Sequence, residues 1–561
     1  MTLPTRPTLP RPSLAASRPA LLRALYLALL AGGLALLGAW WIASANAEDD
    51  RATRWIEGVV GGANQLNPLL AVPGTTDADL AALIFDGLIR IDADGTPLPD
   101  LAERWEVTPD GLTYTFVLRD DVSWHDGRPL TTADVARTIE LVQAADFPGP
   151  PALAANWQTI DPFVIDERTI LLRIPDPAAD FLSRLAVGII PAHRLEGVAA
   201  ADLPALAFNA RPTGTGPYRL SSLNGDRAIL ERNTSYHRGA PLIERVELRF
   251  YPNATRQLEA LVRGEIDAAL RGEQPDPRET QLLAERPELD DTLLLRHAFT
   301  VLYINNQRFP FDDVDLRRAI AASIDPAQIV ADAAIRGLPG DGVLVPGSWV
   351  DLPPEDGDNG SDATTPDPPD PAALWTAAGY ERDADGHLVR AGNPLTIELL
   401  TNADATRIGL AQALAAALNE QGVTVEVTPL PATELLTRRL VPRDYELALF
   451  GWEANIDPDP YLGWHTSQIS ETGRNIAGFQ DAAGDALLEA ARLTLDAAER
   501  RDLYAAFADR FAGRAASVIL LYPARLYIHR DTVEGFTPGL LFTPADRFRD
   551  IHLWRLAPTD P

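Results

Sequence analysis

An α/β fold divided into two or more lobes is what this sequence predicts, and three observations predict it. The chain has 561 residues, well past the length at which a single hydrophobic core stops growing. From Glu48 onward, short strand-like runs alternate with longer helical ones, which is the pattern of α/β architecture rather than of a bundle or a sandwich. No short internal repeat is visible, so solenoids and propellers have little support.

Taken in order, the chain opens with Arg6, Arg11, Arg18 and Arg23 and no acid, followed by an almost wholly apolar run from Ala24 to Ala43. A basic flank before an apolar run fits the positive-inside rule, and Ala45-Asn46-Ala47 before Glu48-Asp49-Asp50 has the small-x-small form of a signal-peptidase site. The run also approaches the roughly 20 residues that span a bilayer. Residues 1–47 are therefore an N-terminal apolar export or anchor helix, either a cleaved signal peptide or an uncleaved membrane anchor. In both cases the body of the protein lies outside the cytoplasm, in the periplasm or on the outer face of the cell membrane.

Beyond it, strands are predicted at Thr113 to Leu118, Thr169 to Ile174, Arg245 to Tyr251, Thr300 to Ile304, Leu395 to Leu400, Val423 to Val427, Leu447 to Phe450 and Val518 to Tyr522. Helices are predicted at Arg256 to Val262, Val314 to Ser323, Ala403 to Glu420, Asp485 to Ala491 and Ala497 to Phe511. Thr401-Asn402 supplies a cap for the third of these helices, and Gly422 a stop. The acidic stretch 352–371 is rich in Pro, Asp and Gly without apolar periodicity, and reads as a surface loop.

Composition removes several functions. There is no cysteine, so disulfides, thiolate metal sites, cysteine nucleophiles and a lipid-bearing cysteine are all excluded. All 49 basic residues are arginine, which excludes a phosphate-loop lysine and a Schiff-base lysine. The formal net charge of −30 opposes binding to a phosphate backbone, so no nucleic acid is expected as a partner. The eight histidines form no His-Glu-x-x-His pattern, and no Gly-x-Ser-x-Gly elbow occurs. No enzyme activity and no cofactor are expected; His125 reads as structural, and His465 is the one histidine to test for chelated metal.

An ordered series of motifs runs along the chain. Leu66-Asn67-Pro68-Leu69 precedes Ile84-Phe85-Asp86-Gly87-Leu88, and Gly95 to Trp105 leads through Asp110-Gly111-Leu112 to Trp124-His125-Asp126-Gly127 and Ala133-Asp134-Val135. Further on come Pro212-Thr213-Gly214-Thr215-Gly216-Pro217-Tyr218, Gly264-Glu265-Ile266-Asp267, Tyr303-Ile304-Asn305-Asn306, Ala377-Ala378-Gly379-Tyr380 and Gly451-Trp452 with Asp457-Pro458-Asp459. In this series the chain resembles the family 5 extracellular solute-binding proteins, of the dipeptide, oligopeptide and nickel type. Gly214 and Gly216 serve either a tight turn or a direct ligand contact.

The resemblance implies a two-lobed periplasmic-binding-protein-like fold, type II with an extra subdomain, that closes on a solute held between its lobes. Lobe I would comprise residues 48–87, 211–298 and 516–561, its subdomain residues 88–210, and lobe II residues 299–515. The implied function is capture of a solute, foremost a peptide, for delivery to the permease and ATPase chains of an ABC importer at the membrane. Oligosaccharide or chelated nickel as ligand, and an anchored sensor or chaperone not coupled to import, stand as alternatives.

In peptide-binding members a loop of the form Gly-Trp-x-x-Asp follows a lobe II strand, and its aspartate holds the ligand's α-ammonium. Here the matching position is Asn455, a neutral amide that forfeits the charge-assisted bond. Glu453 or Asp457 supplies the missing charge, or Asp457 shapes a turn. Trp452 and Trp464 offer an aromatic wall or fill the core, and Tyr303 and Asn305 either face the cleft or cap a strand.

Overall fold

Every second residue of Thr113–Leu118 is buried, as expected of a strand with one face on a core. In the computed structural model, which describes residues 53–351 and 370–557, this strand is central to a four-stranded antiparallel sheet. The sheet runs in the order Ala102–Val107, Thr113–Leu118, Thr169–Arg173, Asp161–Val164. Helix Thr132–Gln143 turns Val135, Ile139 and Val142 onto it, closing a core that includes Phe116, Trp157 and Phe181. The apolar run at 24–43 and most of the acidic stretch, residues 352–369, lie outside the described residues. Among the described residues, no helix is long and apolar enough to cross a membrane.

A twelve-stranded mixed sheet carries the rest of the molecule. Its strands, numbered in chain order, are β1 (Arg54–Val60), β2 (Tyr218–Leu223), β3 (Arg227–Arg232), β4 (Arg245–Tyr251), β5 (Ala268–Leu270), β6 (Leu289–Leu295), β7 (Ala298–Ile304), β8 (Gly337–Pro339), β9 (Thr396–Asn402), β10 (Thr424–Leu430), β11 (Leu447–Glu453) and β12 (Ser517–Arg530). They run in the order β10-β9-β11-β7-β12-β5-β1-β4-β3-β2, with β6 and β8 also pairing to β12.

β12 is the longest of these strands, and its two ends serve different neighbours. Residues 517–521 pair with β7, and residues 524–530 with β6, so one strand runs through both halves of the sheet. The chain crosses between the halves a second time through Arg296 and His297, between β6 and β7. Each half keeps its own buried clusters. Leu302, Leu399, Leu414 and Leu449 pack on one face of the β7–β9–β11 half and Val301, Tyr445, Phe507 and Tyr522 on the other. Trp55, Leu230, Val246 and Trp554 pack in the half built around β1 and β4.

Three sequence expectations are corrected. The strand predicted at Leu447 to Phe450 continues through Glu453, because Gly451, Trp452 and Glu453 stay in register with Thr300, Phe299 and Ala298. The strand predicted at Val518 to Tyr522 runs on to Arg530, past the point where its apolar run is broken by Pro523 and Arg525. Helix Ala405–Glu420 is capped by Asp404, whose carboxylate accepts from the Thr406 and Arg407 amides, while Thr401 and Asn402 still belong to β9. Gly422 does end that helix, with φ of +87°.

Candidate ligand-binding cleft

Antiparallel pairing of β7 with β11 sorts the side chains around the crossing. Phe299, Tyr303 and Trp452 share one face of the sheet, while Ala298, Thr300, Gly451 and Glu453 share the other. At Gly451 the strand is covered by the Arg407 side chain, whose Nη2 lies 2.3 Å from where a Cβ would stand, so a larger residue there would push that guanidinium aside. That guanidinium rests on the strand and donates to Thr300 Oγ1.

On the first face, Trp452, Phe299, Tyr303, Asn455, Trp464 and His297 line a narrow cavity of about 30 Å³. Trp452 is half-buried, with the Arg474 guanidinium 5.6 Å from its ring centre. Tyr303 stacks on Trp464 at 5.9 Å and 29°, and Trp464 meets the edge of Phe511 at 4.5 Å. Tyr303 and Trp464 are each 2 % exposed, so they form the buried backing of this wall. Burial pushes the Tyr303 phenol well up, and it pushes the His297 imidazole down to about 4, leaving His297 neutral at pH 7.

The segment after β11 distributes its polar residues unequally. Glu453 is exposed and pairs with Arg296 at 2.6 Å. Asn455 is exposed at the rim of the narrow cavity. Asp457 is buried, with both carboxylate oxygens accepting from Arg500 Nη2 at 2.8 and 3.0 Å. Burial pushes the Asp457 carboxyl up while Arg500 pulls it down, and the close pairing keeps it an ion pair. Asp459 accepts from the Tyr461 amide at 3.0 Å and pairs with Arg492 at 2.9 Å. Burial raises the Asp459 carboxyl to about 6, against the pull of Arg492.

Asn305 lies outside these walls. Its amide donates to the carbonyls of Arg443 and Tyr445, both at 2.8 Å, and its oxygen accepts from the Gln307 amide at 3.2 Å. It ties the turn after β7 to the segment entering β11. His465 is stacked on Tyr461 at 4.1 Å and shares a hydrogen bond of 2.8 Å with Ser467 Oγ. His125 shares a hydrogen bond of 3.0 Å with the Gly216 carbonyl, and burial pushes it down to about 4. Gly214 and Gly216 back directly onto Ile84, where a Cβ on Gly214 would lie 1.8 Å from the carbonyl oxygen. Among the described residues the one cluster able to hold a metal, Asp383, Asp385 and His387, sits on a separate turn.

Three larger cavities surround the 453–464 segment. One of about 540 Å³ is mainly apolar, walled by Ala81, Phe85, Ile89, Phe542 and Phe548, with Ile456 facing it from the segment after β11. Its polar rim includes Asp86, Tyr236 and Arg238. A second, of about 500 Å³, is lined by Asp180, Asp459, Arg492 and Arg500 and shares Asn156 and Arg184 with the first. A third, of about 190 Å³, holds Arg296, Glu453 and Arg525 and shares Pro73, Phe542 and Thr543 with the first. The first cavity is thus flanked by the other two through shared wall residues, with an apolar lining in the first and charged side chains in the two beside it.

Ile456, Asp459, Arg525 and Phe542 are cleft residues that sequence reasoning did not select. Asp459 belongs to the Asp457-Pro458-Asp459 motif and was legible from it. Arg525 and Phe542 carry no local signal, because only the long-range pairing of β12 and the return of the C-terminal segment bring them there.

Comparison with known proteins gives the following. The family model described as Bacterial extracellular solute-binding proteins, family 5 Middle, matches residues 96–472. A "Di/tripeptide-binding protein 4" of Pseudomonas aeruginosa is 29% identical over 488 residues, covering 82% of this chain and 88% of the relative. Of solved structures, NikA from Brucella suis in complex with Fe(III)-EDTA aligns with a TM-score of 0.72 at 22% identity, covering 90% of this chain and 100% of that one. AppA from Bacillus subtilis in complex with a nonapeptide aligns with a TM-score of 0.62 at 22% identity, covering 90% and 99%.

Proposed function

Since the chain belongs to the bacterial extracellular solute-binding proteins of family 5, we propose that it is the receptor of an ABC importer, taking up peptides outside the cytoplasm and passing them to permease and ATPase chains. The observation that carries this reading is the row of three adjoining cavities around residues 453–464, the apolar one flanked by two with charged linings. A peptide presents that same pattern, with apolar side chains between an ammonium and a carboxylate. The names of the relatives support it: one is a di/tripeptide-binding protein, and AppA is solved with a nonapeptide.

The mechanism is capture by closure. Lobe I, residues 48–87, 211–298 and 516–561 with its subdomain 88–210, faces lobe II, residues 299–515, across the cleft. A ligand touching both lobes favours the closed state by as much as its affinity differs between the two states. Arg296, His297, Tyr522 and Pro523 are the segments about which the lobes turn. Bound solute is released unchanged, since the receptor binds and does not turn over.

A thermal-shift screen of the full chain in mild detergent tests the reading, with short peptides, oligosaccharides and chelated nickel as ligands. A peptide at 100 times its Kd stabilises the fold by roughly 2.7 kcal/mol, and Trp452→Ala shrinks that gain without lowering the ligand-free Tm. Stabilisation by sugars or nickel chelates with none by peptides overturns the peptide assignment.

A further inference from the structure

Arg525 lines the cleft at the crossing between the two halves of the sheet. It lies on β12 opposite Leu294 and lines the cavity of about 190 Å³ beside Arg296 and Glu453. Among the described residues its guanidinium has neither a hydrogen bond nor a carboxylate within ion-pair distance, its backbone being paired in the ladder with β6. The nearby acids are already committed: Glu57 and Asp79 hold Arg547, at 2.6 and 2.7 Å, and Glu273 and Glu453 hold Arg296. Burial, and then the like charge of Arg296, push the Arg525 guanidinium below the ordinary arginine range. A half-buried cation without a counter-ion is incompletely compensated, and it stands here in a chain of net charge −30.

Two further features bear on what would complete it. Glu453 is 80 % exposed although it pairs with Arg296, and an ion pair so open to water is weak and readily displaced. The cavity also adjoins the apolar one, sharing Pro73, Phe542 and Thr543 with it as wall residues. We propose that Arg525, with Arg296, forms a subsite for a carboxylate of the bound solute, whose apolar body fills the larger cavity, and that Glu453 occupies Arg296 until that carboxylate displaces it. Two guanidiniums lining one cavity can each donate to an oxygen of a carboxylate. The subsite rests on the receptor reading above and deepens it: the ligand is an acid with an apolar body, held by its carboxylate end at the crossing.

The test is calorimetric titration of the full chain with apolar di- and tripeptides, each as the free acid and as the C-terminal amide. The expected result is that the acids bind about tenfold or more tightly than the amides. In Arg525→Gln the acids weaken to the level of the amides, whereas Arg525→Lys keeps part of the preference. Thermal unfolding of each ligand-free variant gives the accompanying check: Arg525→Gln melts at or above the parent, because it removes an unpaired charge. Equal binding of acids and amides by the parent overturns the subsite and leaves peptide capture standing. An acid preference that survives Arg525→Gln overturns the role of Arg525. Absence of binding by every peptide overturns the peptide reading and the subsite with it.

Discussion

At the scale of the residue, the costly groups of the cleft are its buried carboxylates. Asp86 accepts from Thr215 Oγ1 at 2.9 Å and from the Tyr236 hydroxyl at 3.2 Å. Burial, then the charge of Asp100, raises it from 3.8 to about 7. A carboxyl with a raised folded pKa stabilises the fold fully below its unfolded pKa and loses that contribution as pH rises through the folded one. His125, His297 and His552, all pushed down to about 4, act in the opposite sense, their stabilisation growing as pH rises through the 6.5 of free histidine. As pH rises from 5 to 8, the urea midpoint of Asp86→Asn is therefore expected to gain on that of the parent, since the variant lacks the carboxyl whose contribution the parent loses. A constant difference between the two across that range removes Asp86 as a source of pH dependence. Asp86 was legible as part of a motif, yet nothing local reveals that it is sunk beside Asp100.

At the scale of the element, the segment after β11 is held from beneath rather than by its own turn chemistry. Asp457 is pinned by Arg500 on helix Ala497–Gly513, and Arg500 also donates to the Tyr504 hydroxyl at 3.0 Å and to the Ala491 carbonyl at 3.0 Å. Removing one member of a buried ion pair leaves the other uncompensated, at about 3–5 kcal/mol. Asp457→Asn is thus expected to lower the Tm by several degrees and to weaken ligand capture through the displaced segment. Loss of affinity at full stability would show instead that Asp457 meets the ligand directly. The strands and helices themselves were readable, because apolar alternation and the 3.6-residue stripe are local properties of Thr113–Leu118 and of Ala497–Gly513. The ends of β11 and β12 were not, since Gly451, Pro523 and Arg525 break the local pattern and only pairing across the sheet holds them in strand. The charged ends of the cleft were illegible for the same reason, as Asp459 and Arg525 meet it from opposite sides of the crossing.

At the scale of the whole molecule, 79 acids against 49 arginines set a field that every solute meets before it meets the cleft. Salt screens such a field beyond a Debye length of about 8 Å at physiological ionic strength. Association of cationic peptides, followed by stopped-flow tryptophan fluorescence, is expected to slow as salt rises, and that of anionic peptides to quicken. Rates indifferent to salt for both would place control in the cleft alone. The architecture also has an order in time. Arg547, near the end of the chain, clamps Glu57, 490 residues earlier, and β12 separates β5 and β6 from β7. The half that synthesis begins first is therefore the half it finishes last. Residues 299–515 emerge in one uninterrupted piece, while the β1 half waits, lacking β12 and its clamp, until the final segment arrives. A chain cut short before residue 517 would carry most of the second half and an unfinished first one, so a frameshift late in the message costs the early residues their structure.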